Sequence, residues 1–149
     1  MTIDQALVSA DPIGEISCRL ALAKSLTNAE RVFHEVSYFL GDTLNGGLNQ
    51  TFANDTGDLF NTVRDFAQNY CDVAVARVLD RIPEVFPAGL VPTDRNQRMD
   101  FLAAASIRDS DPFEELTVAF YEVQDELEAG LLAFAVQHRD QFSNLHGPR

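Results

Sequence analysis

The chain has 149 residues, 46% of them apolar, and a formal net charge of −12 from 23 Asp and Glu against 11 Lys and Arg. That length suits one domain with a substantial core, and the apolar share excludes a wholly disordered chain. The charge argues against binding a nucleic-acid backbone or an anionic membrane surface; it is compatible with a basic partner, or with solubility alone.

Residues 1–11 read as a loose lead-in. They open without a basic segment or an apolar run, so no secretory signal is expected. No stretch approaches the ~20 apolar residues of a membrane span, and a cytoplasmic location is the expectation. Asp11 before Pro12 reads as an N-cap followed by proline at the first helical position. Ile13, Ile16, Leu20 and Ala23 then recur at helical spacing, predicting a first helix to about Ser25. Thr27-Asn28-Ala29-Glu30 has the form of a capping box and opens a second helix. Val32, Phe33, Val36, Phe39 and Leu40 form its apolar face, and it is expected to stop near Thr43. His34 on this helix, beside Glu35, reads as a surface or boundary residue. Lys24 is the only lysine.

Residues 44–57, Leu-Asn-Gly-Gly-Leu-Asn-Gln-Thr-Phe-Ala-Asn-Asp-Thr-Gly, carry three of the eight glycines and interrupt the helical pattern. Asn45-Gly46-Gly47 reads as a helix end in left-handed backbone. Gln50 and Asn54, four apart, place two amides on one face of a short helix, with Leu48 and Phe52 on an apolar face. An amide pair beside a glycine turn can satisfy backbone groups that the turn leaves open. The stretch is thus a polar pin between two halves of a helical domain, or alternatively a ligand or catalytic loop.

Thr56 or Asp58 is the expected cap of a third helix through Leu59, Phe60, Val63, Phe66, Ala67 and Tyr70. Asp72 is the expected cap of a fourth, with Val73, Ala76, Leu79, Ile82 and Phe86 on one side and Pro83 kinking or ending it. Residues 87–92 are a loop by their prolines and glycine. Thr93-Asp94 opens a short helix through Met99, Phe101, Leu102 and Ala105. After a break at Asp109-Ser110-Asp111-Pro112, Phe113, Leu116, Phe120, Leu127, Leu131, Phe134 and Val136 carry a helical pattern to about Phe142. Its register drifts near Glu122 to Asp125, so two helices with a bend are expected. Residues 143–149 read as a frayed tail. Without an alternating strand pattern, the expected fold is all-α, a single compact domain of about six to eight helices over residues 1–149. Cys18 and Cys71, both in apolar helical patterns, are expected to be buried free thiols of a reducing compartment.

From Asp109 to Glu128 the chain carries Asp109, Asp111, Glu114, Glu115, Glu122, Asp125, Glu126 and Glu128, with no Lys or Arg. On a continuous helix Asp111, Glu115, Glu122 and Glu126 would form one stripe, with like charges costing a few tenths of a kcal/mol per pair. Such a stripe is either a solvated face or a docking surface for something basic. A helical turn rises about 5.4 Å and phosphates recur every ~3.4 Å along one strand of a duplex, so carboxylates one or two turns apart could stand in for some phosphates.

The central stretch resembles the N-G-G-F-x-Q-[FY]-[FY]-x-N-x-x-G signature of a bacterial all-helical family named for an acidic DNA-mimic protein. Asn45, Gly46, Gly47, Gln50, Asn54 and Gly57 match it, while Leu48 and Thr51 stand where the pattern has aromatics. The resemblance spans about residues 27–142. It implies an α-helical fold, a homodimer as one arrangement, and binding to DNA-binding proteins in place of DNA. The six matched residues correspond to fold-defining positions of that family.

No nucleophile elbow, phosphate-binding loop, zinc-protease helix or dinucleotide fingerprint is present in the sequence, and no cofactor or metal site is expected. His138 and His146 near the C-terminus suggest no chemistry. The leading expectation is a non-enzymatic acidic protein whose partner is a basic DNA-binding protein, such as a transcription factor or nucleoid protein. Asp111, Glu114, Glu115, Glu122, Asp125, Glu126 and Glu128 are its expected contacts. An immunity protein neutralising a basic nuclease toxin, and an acidic helical domain with no mimic role, are the alternatives.

Overall fold

The computed structural model describes residues 1–107 and 110–146. Among these residues the chain forms eight α-helices and no strand: α1 (Ile3–Leu7), α2 (Pro12–Ala21), α3 (Asn28–Ala53), α4 (Phe60–Tyr70), α5 (Val73–Arg81), α6 (Arg95–Ile107), α7 (Glu114–Glu122) and α8 (Gln124–Gln137). Short 3-10 turns lie at Asp55–Leu59, Pro83–Val85 and Arg139–Gln141. The all-α expectation holds. No helix among the described residues is long and apolar enough to cross a membrane.

The long helix α3 is the axis of the fold and packs against α2, α4, α6, α7 and α8. It starts at the expected capping box: the Glu30 amide donates to the Thr27 hydroxyl, and the Thr27 amide donates to the Glu30 carboxylate. It does not stop near Thr43. It runs on through Gly46, breaks at Gly47, and resumes from Leu48 to Ala53. Gly47 has φ 79° and ψ 177°, a region essentially reserved for glycine. The break folds the second leg against the first and carries Phe52 into an aromatic core. Phe52 stacks on Phe113 at 5.2 Å and meets Phe86 at 5.6 Å and Phe39, of the first leg, at 6.1 Å. Burial of such rings supplies much of the folding free energy, at roughly 25 cal/mol per Å2 of apolar surface removed from water.

Several expectations need correction. Residues 3–7 are a helix, not a loose lead-in: Thr2 caps it with Gln5, and Ile3 and Ala6 are buried. Neither Thr56 nor Asp58 caps α4, whose first residues follow directly from the 3-10 turn. Asp58 instead pairs with Arg98. Asp72 does cap α5, accepting from the Ala74 amide at 2.9 Å. The inward face of α5 is Val75, Val78 and Leu79, and Val73 is exposed. The helix ends before Pro83 as expected. The C-terminal pattern divides at Val123, with α8 ending at Gln137 and Val136 exposed. The segment 143–146 is not frayed: Leu145 is buried, and Asn144 donates its backbone and side-chain N–H groups to Glu30 at 2.8 and 2.7 Å. Residues 147–149 and Asp109 lie outside the described residues.

The cysteines differ from expectation and from each other. Both are free, but Cys18 is exposed and Cys71 half-buried. Burial, then the neighbouring Asp72 charge, pushes the Cys71 thiol up to about 11. Because the thiolate is the nucleophile, iodoacetamide at pH 8 is expected to alkylate Cys18 well before Cys71. Peptide mass spectrometry over a time course checks the order.

The break also generates a stability prediction. Gly47→Ala is expected to destabilise by about 1–3 kcal/mol, the scale of a residue forced into glycine-only backbone. Gly41→Ala, in the straight part of α3 where an added Cβ meets nothing within 4 Å, is expected to stabilise by up to ~1 kcal/mol through helix propensity. Urea unfolding of the two variants should therefore move the midpoint in opposite directions.

Candidate functional site

Three features surround the break in α3: a carboxylate–amide pin, a buried arginine and an acidic helix. The pin joins the two legs. On a straight helix Asn54 would lie about 18 Å beyond Asp42. Here the Asn54 amide donates to the Asp42 carboxylate at 3.1 Å, and the Gln50 amide donates to it at 2.6 Å. The expected pairing of Gln50 and Asn54 on one face is present, but their main acceptor is a carboxylate and not open backbone. Gly46 lies beneath Gln50, whose side chain a Cβ at that position would strike. Leu48 and Phe52 are fully buried, as expected. Thr51, which replaces an aromatic of the family pattern, is also buried and shares a hydrogen bond with Thr43 at 2.8 Å.

Two backbone groups beside the break find partners on α7. The Leu48 amide donates to the Thr117 hydroxyl at 3.1 Å, and the Tyr121 hydroxyl donates to the Thr43 carbonyl at 3.0 Å. Thr117 and Tyr121 are four apart and share one face of α7. The central motif therefore sets where α7 lies.

The second leg ends on Arg98, whose side chain is 0% exposed. Its guanidinium donates to the carbonyls of Phe52 and Asn54 at the end of α3, at 3.0 Å each, and to those of Pro92 and Thr93 at 2.9 and 3.2 Å. It also pairs with Asp58 at 2.7 Å. A cation beside the last carbonyls of a helix is favoured by their dipoles. Gly57 lets it pass, since a Cβ there would stand 2.7 Å from Arg98 Nε. Every glycine and amide of the motif except Asn45 thus has a defined structural contact.

Asn45 faces a cleft of about 590 Å3 between α2, α3 and the start of α6, together with Tyr38, Asp42, Asn54, Asp55 and Arg95. His34 lies on the same helix, with its ring 5.2 Å from that of Tyr38. Burial lowers the His34 pKa against the opposing effect of Glu35.

The expected contact carboxylates do not form one stripe, because the helix is broken at Val123. Glu114, Glu115 and Glu122 are on α7, and Asp125, Glu126 and Glu128 are on α8. Asp111 precedes α7 and accepts from the Phe113 amide at 2.8 Å. All but Glu128 are exposed, and Glu128 is half-buried and accepts from Gln124. Among the described residues, none of the seven forms an ion pair with a basic side chain. Glu114, Glu115 and Glu122 line a shallow groove with the exposed Val118 and with Arg81.

Sequence reasoning missed Asp42, Arg98, Thr117 and Tyr121. Asp42 is eight and twelve residues from its partners, a separation that signals contact only once the break is known. Arg98 stands inside an apolar helical pattern, where a charged residue reads as solvent-facing.

A family model described as DMP19-like protein matches residues 24–138. No curated protein and no solved structure matches.

Arg98→Lys keeps the charge but replaces a planar fork by a single ammonium. The variant is expected to lose about 1.5–3 kcal/mol, on the scale of one hydrogen bond to a charged group. Its urea midpoint should fall while its far-ultraviolet circular dichroism stays helical.

Proposed function

Because the chain belongs to the DMP19-like family, which is named for a DNA-mimic protein, we propose that it is a non-enzymatic acidic protein whose α7–α8 face takes the place of a nucleic-acid backbone on a basic DNA-binding partner. The observation that carries this reading is the group of exposed carboxylates on that face with no basic partner among the described residues. Glu115 and Glu122 are seven residues apart on one helix, a rise of about 10.5 Å. Three phosphate steps along one strand of a duplex cover about 10.2 Å. Unpaired surface carboxylates also steer a basic protein at long range, which makes association fast and salt-sensitive.

The test is capture of partners from host lysate on the immobilised chain at low salt. A basic DNA-binding protein that is released by moderate salt and displaced by duplex DNA supports the reading. A nuclease whose activity the chain blocks would place it with immunity proteins instead, and no salt-dependent capture would remove the mimic role.

Two single substitutions then separate binding from stability. Glu114 sits in the first turn of α7, where the dipole favours its charge, and Glu122 in the last turn, where the α7 dipole opposes its charge and the start of α8 favours it. Glu114→Gln is expected to lose about 0.3–1 kcal/mol of stability, and Glu122→Gln to change it by less, because the two dipoles offset at that position. Both are expected to weaken the partner and to flatten its salt dependence. Urea unfolding and partner titration at two salt concentrations check the pair; an unchanged affinity in both variants would move the binding face away from α7.

A further inference from the structure

We propose that the cleft between α2, α3 and the start of α6 is a binding site for an alkylammonium or alkylguanidinium group. The site is separate from the α7 face and does not depend on the mimic reading. Its volume of about 590 Å3 exceeds what such a group and a short carbon stem need.

The chemistry of the lining points to a cation. Asp42 is half-buried in the cleft wall, yet both groups that bind it are neutral amides. Among the described residues it has no ion pair. Its Oδ1 accepts from Gln50 and Asn54, and its Oδ2 accepts only from Asn54. A carboxylate has about four acceptor positions, so Oδ2 retains one for a further donor. The nearest basic side chain of the lining, Arg95, is committed elsewhere: its Nε donates to the Ala53 carbonyl at 2.8 Å, and its terminal nitrogen stands 3.8 Å from Asp55.

Two other residues complete the arrangement. Asn45 makes no side-chain hydrogen bond among the described residues and lines the cleft, so its side-chain carbonyl is a second acceptor, this one neutral. Tyr38 is 54% exposed at the same opening and offers an aromatic surface for the carbon stem or for the cation itself. A cation between Asp42, Asn45 and Tyr38 would receive a charge-assisted hydrogen bond and an aromatic contact together. This gives Asn45, the one motif residue with no packing or pinning contact, a chemical use.

Gly41 provides a way to block the cleft without touching the pin. It lines the cleft, and a Cβ added there meets nothing within 4 Å. Gly41→Leu is therefore expected to obstruct the cleft beside Asp42 while keeping the helix.

The experiment is a nitrogen-15 NMR titration of the full chain with agmatine, with N-acetylarginine methylamide, and with 1-pentanol as the uncharged control. Saturable shifts of the Asn45 and Asn54 side-chain amides are expected with the two cations and not with pentanol. Gly41→Leu is expected to abolish them, and Asp42→Asn to weaken binding by about tenfold, the equivalent of one charge-assisted hydrogen bond. Gly41→Leu, which leaves the pin intact, keeps the proposal testable should Asp42→Asn unfold. Tighter binding of agmatine would assign the site to a free amine, and tighter binding of the arginine derivative to a side chain of another protein. Shifts that do not saturate, that pentanol reproduces, that centre on Glu114 and Glu122, or that survive in Gly41→Leu would overturn the proposal.

Discussion

The backbone break at Gly47 is the constraint on which the rest of the structure depends. A helix interrupted in a core leaves backbone donors and acceptors without their usual partners, and each would cost about 1–3 kcal/mol if left unpaired. Thr117 accepts from the Leu48 amide and Tyr121 donates to the Thr43 carbonyl, so α7 must dock at one height and one rotation. The same break brings Phe52 beside Phe39 and Phe113. Packing of the core and satisfaction of the backbone thus demand the same geometry, which is the agreement between levels that lets a sequence specify one fold.

Arg98 performs the corresponding task at the far end of the second leg. A buried cation is costly to desolvate, and a single ion pair with the half-exposed Asp58 would not offset that. The four carbonyls around the guanidinium do more of the work, because two of them close α3 and two belong to the loop before α6. One side chain therefore ties together segments about 40 residues apart in the chain.

The helical class and most of the apolar positions were legible in the sequence. Thr27–Glu30 and Asp72 are caps whose local chemistry needs no tertiary context. The glycine pair and the Gln50–Asn54 spacing located the pin. What the sequence could not supply was the acceptor, because Asp42 reaches both amides only after the chain has folded back. Arg98 was hidden for a related reason: helical periodicity assigns a face but not the carbonyls waiting on it. The α1 and C-terminal errors came from treating short polar segments as loose. Thr2 with Gln5, and Asn144 with Glu30, show that a few hydrogen bonds around one buried apolar residue are enough to order such segments.

The acidic face is the place where folding physics and function can be told apart. On one continuous helix its carboxylates would repel at helical spacing. The break at Val123 creates a second N-terminus, so Glu114 and Glu115 fall in the first turn of α7 and Asp125 and Glu126 in the first turn of α8. The helix dipole favours anions at all four positions. Their presence is accounted for by stability, whatever they bind. Glu122 is different: it lies in the last turn of α7, whose dipole opposes a negative charge, and directly before the start of α8, whose dipole favours one, and no described basic side chain pairs with it. The two dipoles offset each other there, so helix electrostatics favour a glutamate less than at the other four positions, whereas a basic partner would favour it. A carboxylate at which the helix dipoles offset each other is therefore better evidence for a binding face than several that strengthen their helices.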